Sequence, residues 1–186
     1  DKNLSLSLGS SSISLLELVR AYTVFANGGQ LVEPLFITRV TDRNGKVLEE
    51  NGPNMKQALS PEISYVVTDM LKNVIQSGTG RAVAKLGRYV AGKTGTTSDF
   101  RDGWFIGYTP DLIAGVWVGY DDHRPLADKE TGARTALPIW LAFMTEAAKG
   151  IGLKDFPVPE GIDWLEINLK DPGYPLPVFE NSPLTK

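Results

Sequence analysis

The sequence predicts an α+β fold, an antiparallel sheet with flanking helices, and three observations carry that prediction. Apolar residues recur at helical spacing near residues 15–25, 63–75 and 139–147. The β-rich runs 89–96, 103–108 and 112–120 follow one another with short polar connections. Strands and helices are grouped, not alternated, which argues against a parallel sheet. At 186 residues the chain can bury one sizeable core, so one domain is the expectation.

Ser14-Leu15-Leu16-Glu17 has the spacing of a capping box. The helix it opens should turn Leu15, Leu18, Val19, Tyr22 and Phe25 inward and stop at Asn27-Gly28-Gly29, which tolerate a left-handed cap. Leu35–Asp42 is strand-like, and Asn44-Gly45 leads into Lys46–Glu49 as a hairpin. Ser60-Pro61-Glu62 combines an N-cap, a first-turn proline and an acid at the positive helix end. The helix behind it should bury Ile63, Val66, Val67, Met70, Leu71, Val74 and Ile75 and stop at Gly78. Tyr89–Thr96, Gly103–Tyr108 and Leu112–Tyr120 read as strands. Thr109-Pro110-Asp111 joins the last two tightly enough to make them antiparallel neighbours. Pro138 should start a last helix with Ile139, Trp140, Phe143, Met144 and Ala147 inward, closed by Gly150. Six of the twelve prolines fall in 157–183, so the tail should be extended, with one short strand at Trp164–Leu169.

Composition narrows the function classes. A net charge of −3 gives no basic footprint for nucleic acid. No apolar run reaches the length of a membrane span. Zero cysteines exclude disulfides, thiolate metal sites and a cysteine nucleophile within the chain. The opening Asp1-Lys2-Asn3, without an initiator Met, reads as the start of a piece cut from a longer protein.

The chemistry concentrates in one run, Gly92-Lys93-Thr94-Gly95-Thr96-Thr97, followed by the aromatic strand Gly103–Tyr108. On a strand, Thr94 and Thr96 project to the same face. Two hydroxyls and one ammonium suit a carboxylate, by charge-assisted bonds and neutral donors together. Gly95 lets a ligand or another backbone lie against the strand. An unpaired N–H beyond it could serve as an oxyanion donor. Acyl transfer on a substrate ending in a carboxylate fits this set.

Lys93-Thr94-Gly95-Thr96 resembles the third signature of the penicillin-binding proteins. The similarity extends along the chain. Leu6–Ser10, then Glu17–Tyr22 and Phe25–Gly29, resemble the segment after the second signature of class A, bifunctional members. Gly78-Thr79-Gly80 resembles their glycine turn, and Asp102–Pro110 their next strand. The resemblance implies the C-terminal portion of a β-lactamase/transpeptidase-like domain over residues 1–150, supplying three of five sheet strands, with 151–186 a proline-rich extension. It implies catalytic roles for Lys93, beside the serine network, and for Thr96, whose N–H would be one of two oxyanion donors. It further implies Thr94, Gly95, Thr96 and Thr97 as substrate contacts, with Thr79 lining the cleft. Trp104 and Phe105 are expected in the core.

The family's other two signatures, Ser-x-x-Lys and Ser-x-Asn, occur nowhere in the chain. The nucleophile, its lysine base and the second oxyanion donor are therefore expected upstream, and these residues alone are expected to be inactive. A companion chain, or a cut within a folded domain, would account for this, since half a domain exposes apolar faces meant for the other half. The implied reaction is D,D-transpeptidation: a serine acyl-enzyme forms on a peptidoglycan stem peptide ending in D-Ala-D-Ala, and β-lactams acylate the same serine. No metal or cofactor is implied. The implied setting is the outer side of an inner membrane, with a glycosyltransferase domain further upstream.

Three other readings compete. Gly87–Thr94 matches the P-loop pattern, and Val116–Asp121 imitates its accompanying strand; a P-loop would need a helix opening at Lys93. A triad or metal site would have to use His123, the one histidine, with Asp121 and Asp122. Pro34, Asn44-Gly45 and the tail also suit a β-rich interaction module without chemistry.

Overall fold

The computed structural model describes residues 12–127 and 129–164. The Leu6–Ser10 segment and nearly all of the 164–169 strand lie outside them, as does the tail beyond. Helix α1 spans Leu15–Ala26 and opens with the expected capping box, Ser14 and Glu17 bonding reciprocally. Those bonds hold the Glu17 carboxyl below its ordinary pKa. Asn27 is the C-cap, and Gly28 and Gly29 follow with φ of 59° and 89°.

Between α1 and the next helix lie four short strands in two antiparallel pairs. Strand β1 (Gln30–Val32) pairs with β4 (Met55–Gln57), and β2 (Arg39–Thr41) with β3 (Val47–Glu50). The Asn44-Gly45 hairpin forms between β2 and β3, with Gly45 at φ 81° and Asp42 taking the N–H groups of Asn44 and Lys46. The Leu35–Asp42 strand shortens to β2. Pro34 cannot donate to a ladder, and Leu35, Phe36 and Ile37 face solvent.

Helix α2 (Pro61–Gln76) starts on Ser60 and Pro61 as read. Its buried face differs from the expected one. Ser64, Tyr65, Thr68 and Ile75 are buried, whereas Ile63 and Met70 are exposed. The Ser64 hydroxyl donates to the carbonyls of Val24 and Phe25, and the Thr68 hydroxyl to that of Phe25, in the last turn of α1. Small hydroxyl residues thus take the contact line between the helices, because they satisfy a helix end that a valine could not.

Three strands form the main sheet: β5 (Ala91–Thr96), β6 (Asp102–Tyr108) and β7 (Ile113–Gly119), antiparallel in that order. The register is continuous from Ala91 opposite Tyr108 to Thr96 opposite Gly103. Helices cover both faces. On one, Leu15 and Val19 of α1 press on Gly115, and Tyr22 meets the ring edge of Tyr108. On the other lies α3 (Ala136–Ala147), with Trp140 packed edge-on against Phe105 at 5.0 Å and donating to the Ala114 carbonyl. Pro138 sits inside the first turn of α3, where its missing N–H is not needed. Ala136, Leu137, Trp140 and Met144 are buried; Ile139 and Phe143, expected inward, are exposed because the sheet accepts a narrower arc.

The chain stays packed beyond α3. Phe156 is buried among Tyr65, Ala91 and Tyr108, and Lys72 pairs with Asp155. No helix of the described residues is long and apolar enough to cross a membrane.

Candidate active site

Strand β5 is one of the two outer strands of the sheet among the described residues. The Thr97 N–H donates to the Asp102 carbonyl at 3.2 Å, which fixes the ladder phase. By antiparallel alternation, the backbone groups of Gly95 and Lys93 then point toward β6, and those of Gly92, Thr94 and Thr96 point away from it. The outward Thr96 N–H is thus available for an external acceptor.

Side chains alternate about the same strand. Thr94 and Thr96 share the face of Phe105 and α3; Lys93 and Gly95 take the other. Lys93 curls back so that its Nζ donates to the Thr94 carbonyl at 2.8 Å. An ammonium and two hydroxyls therefore reach one edge from opposite faces, with outward peptide groups between them. The Thr79 and Thr94 hydroxyls meet at 2.7 Å, so the turn after α2 is part of this edge. Thr96 Oγ1 accepts the Gly132 N–H at 3.1 Å, from the loop before α3.

The Thr97 hydroxyl is committed elsewhere. It donates to Asp102 Oδ2 at 3.2 Å and accepts the Asp102 N–H at 2.9 Å, closing the turn that carries Asp99 and Phe100 at positive φ. Asp102 Oδ1 takes Trp117 Nε1 at 2.8 Å, tying the turn to β7. Trp104 is half-buried and Phe105 fully buried, as expected of core residues. Neither Asp102, read only as the start of the next strand, nor Gly132 was expected among the site residues. Asp102 adjoins the motif run and could have been noticed; Gly132 carries no local signal.

The P-loop reading is overturned. Gly87 ends a 3-10 turn, Arg81–Leu86, and Lys93 lies within β5, so no helix N-terminus is presented to a phosphate. Arg88 is a structural clamp: its guanidinium donates to the carbonyls of Ala148, Ile151 and Gly152 beyond α3. The Asp121–His123 loop is exposed, and Asp122 pairs with Arg124. No group of three or more His, Asp or Glu side chains suited to a metal occurs among the described residues. Two cavities lie away from the Lys93 edge, one along α1, α2 and Phe156–Pro159, the other around Lys72, Arg88 and Tyr89. Chemistry and not concavity therefore marks this edge as the candidate site.

The profile described as penicillin binding protein transpeptidase domain matches residues 1–136, a span that contains this whole edge. The chain belongs to the penicillin-binding protein transpeptidase domain family. It is 44% identical over 167 residues to penicillin-binding protein 1A of Aquifex aeolicus, covering 90% of this chain and 23% of that protein. It is 37% identical over 187 residues to penicillin-binding protein 1A of Rickettsia typhi, covering 88% and 24%. The crystal structure of penicillin-binding protein 1A from Haemophilus influenzae superposes with a TM-score of 0.82 at 28% identity, over 87% of this chain and 30% of that one. The mixed helix and antiparallel-sheet architecture is thus that of the penicillin-binding transpeptidases. The chain spans about a quarter of the length of the curated relatives it matches.

Proposed function

We propose that this chain is the C-terminal portion of a serine D,D-transpeptidase domain, and that β5 is its substrate-binding strand. One observation carries the reading: the Lys93 ammonium, the Thr94 and Thr96 hydroxyls and the outward Thr96 N–H gather at one strand edge. The substrate is a peptidoglycan stem peptide ending in D-Ala-D-Ala. The remainder of the domain supplies the serine, its base and the second oxyanion donor. Serine Oγ attacks the penultimate D-Ala carbonyl, the oxyanion is held by the Thr96 N–H, and the terminal D-Ala leaves as the amine. An amine of a neighbouring stem then attacks the acyl-enzyme and restores the serine. Thr94 and Thr96 hold the terminal carboxylate, and Lys93 adds positive potential beside the serine. β-Lactams enter the same way, their carboxylate on the two threonines. Exposed Ile63, Met70, Ile139 and Phe143 suit faces that the remainder of the parent protein covers. In this reading the parent is anchored in the inner membrane with this domain on the cell-wall side, and the chain alone forms no acyl-enzyme.

The test is Lys93→Ala in the full-length parent, read as acylation rate by a labelled penicillin and as thermal midpoint. Acylation should fall roughly a hundredfold or more while the midpoint holds, because Lys93 is exposed. Unchanged acylation would instead favour a non-catalytic role for this strand.

A further inference from the structure

Of the edge hydroxyls, that of Thr96 has its partner furthest along the chain, and that partner is a glycine pressed flat against the sheet. A threonine hydroxyl has one proton and two lone pairs, so an exposed one can turn to donate or to accept. Here the Gly132 N–H occupies an acceptor position of Thr96 Oγ1 at 3.1 Å. No described residue accepts the Thr96 proton, and the residue is exposed. The hydroxyl is thus set as an outward donor, the state an anion selects.

The approach that makes this bond is sterically demanding. A methyl at position 132 would collide with the carbonyl oxygens of Trp104 and Gly95 and would lie 2.9 Å from the Trp104 nitrogen. These are ladder atoms of β5 and β6, which cannot yield without opening the sheet beside Thr96. Gly103, opposite Thr96 in register, is constrained by the same segment, since a methyl there would strike Thr135 Oγ1. The segment is anchored in turn: Thr135 donates to the Thr131 carbonyl at 2.9 Å, and the Leu137 N–H donates to the Gly132 carbonyl at 2.9 Å. Two glycines from two elements therefore let the loop before α3 lie on the strand end and hold its hydroxyl.

We propose that Gly132 is a positioning residue that fixes the Thr96 hydroxyl as a donor and so sets selectivity for a substrate carboxylate. This rests on the reading of Thr96 as a carboxylate contact. The test uses the full-length parent with two probes, a penicillin and the same penicillin with its carboxylate converted to the neutral carboxamide. The readout is the ratio of their acylation rate constants. Thr96→Val should lower that ratio roughly ten- to a hundredfold, the effect of one hydrogen bond to a charged group. Gly132→Ala should lower it by a similar factor, and the double variant should be no worse than Thr96→Val alone. Equal losses on both probes, or additive losses in the double variant, would overturn the positioning role and leave Gly132 as packing. Should Gly132→Ala not fold, glycolic acid in place of Gly132 removes the N–H without adding bulk and must give the same lowered ratio; an unchanged ratio there overturns the proposal. A Thr96→Val protein with the wild-type ratio would instead remove the carboxylate reading itself, and this proposal with it.

Discussion

Thr96 offers two donors of different kind to one edge, a backbone N–H set by strand register and a hydroxyl set by its own rotamer. Valine keeps the shape and the N–H and removes only the hydroxyl. Thr96→Val in the parent should therefore weaken transition-state binding of a carboxylate substrate by about 1.5–3 kcal/mol, the worth of a hydrogen bond to a charged group, with the thermal midpoint nearly unchanged. Acylation kinetics and a melting curve check both halves; a collapsed fold would make Thr96 structural. Lys93, Thr94 and Thr96 were legible in the sequence because the motif is contiguous. The use of Thr97 as a turn closure was not, although Asp102 lies only five positions on. A hydroxyl reads as an available donor until the partner that consumes it is placed. Gly132 lay further from sight, since a glycine 36 positions from Thr96 shows nothing in sequence of what its missing side chain avoids.

At the scale of elements, β5 is held from several sides while its outer edge pairs with no strand among the described residues. Arg88 supplies one of those holds, joining the start of the strand to the end of α3 through three carbonyls. Arg88→Ala would strand these acceptors and should destabilise the domain by about 1.5–3 kcal/mol, measured by denaturant unfolding of the parent. Arg88→Lys should recover only part of the loss, because a point charge cannot span three acceptors as a planar fork does. The helices themselves were legible from caps and period: α1 and α2 begin where Ser14 and Ser60 said they would. Their inward faces were less so. Periodicity identifies an apolar arc, not which part of it meets a neighbour. Ile63, Met70, Ile139 and Phe143 sit on arcs that the described residues leave exposed, while Ser64 and Thr68 are buried for the carbonyls they satisfy.

For the molecule as a whole, the sheet is clad on both faces, and three phenols, Tyr22, Tyr65 and Tyr108, lie in or against its core, each with its pKa raised by burial. Burial raises the Tyr108 pKa well above the ordinary tyrosine value, against a lesser opposing effect of its 2.9 Å bond to Thr68, and burial raises Tyr22 as well. A raised phenol pKa means that the folded state holds its proton more tightly than the unfolded chain does. The resulting stability is complete below about pH 10, the unfolded value, and is lost as pH rises above it. The thermal midpoint should therefore be level from neutral pH to about 9 and decline beyond 10. Tyr108→Phe should be less stable at neutral pH by about 1 kcal/mol, from the lost hydrogen bond, yet show a shallower alkaline decline. Differential scanning of both proteins across that range decides it; parallel declines would mean that other groups control the alkaline limit.

The sequence by itself determined the α+β class, the three helices, the order of the main strands and the Lys93–Thr96 motif. All of these depend on spacing within a few residues, where caps, turns and periodicity act. Only the tertiary structure decided which peptide groups of β5 face outward, which helix arcs are buried, and that Gly132 reaches the Thr96 hydroxyl. Those outcomes depend on contacts between residues far apart in the chain, where sheet register and close backbone approach fix what local propensity leaves open.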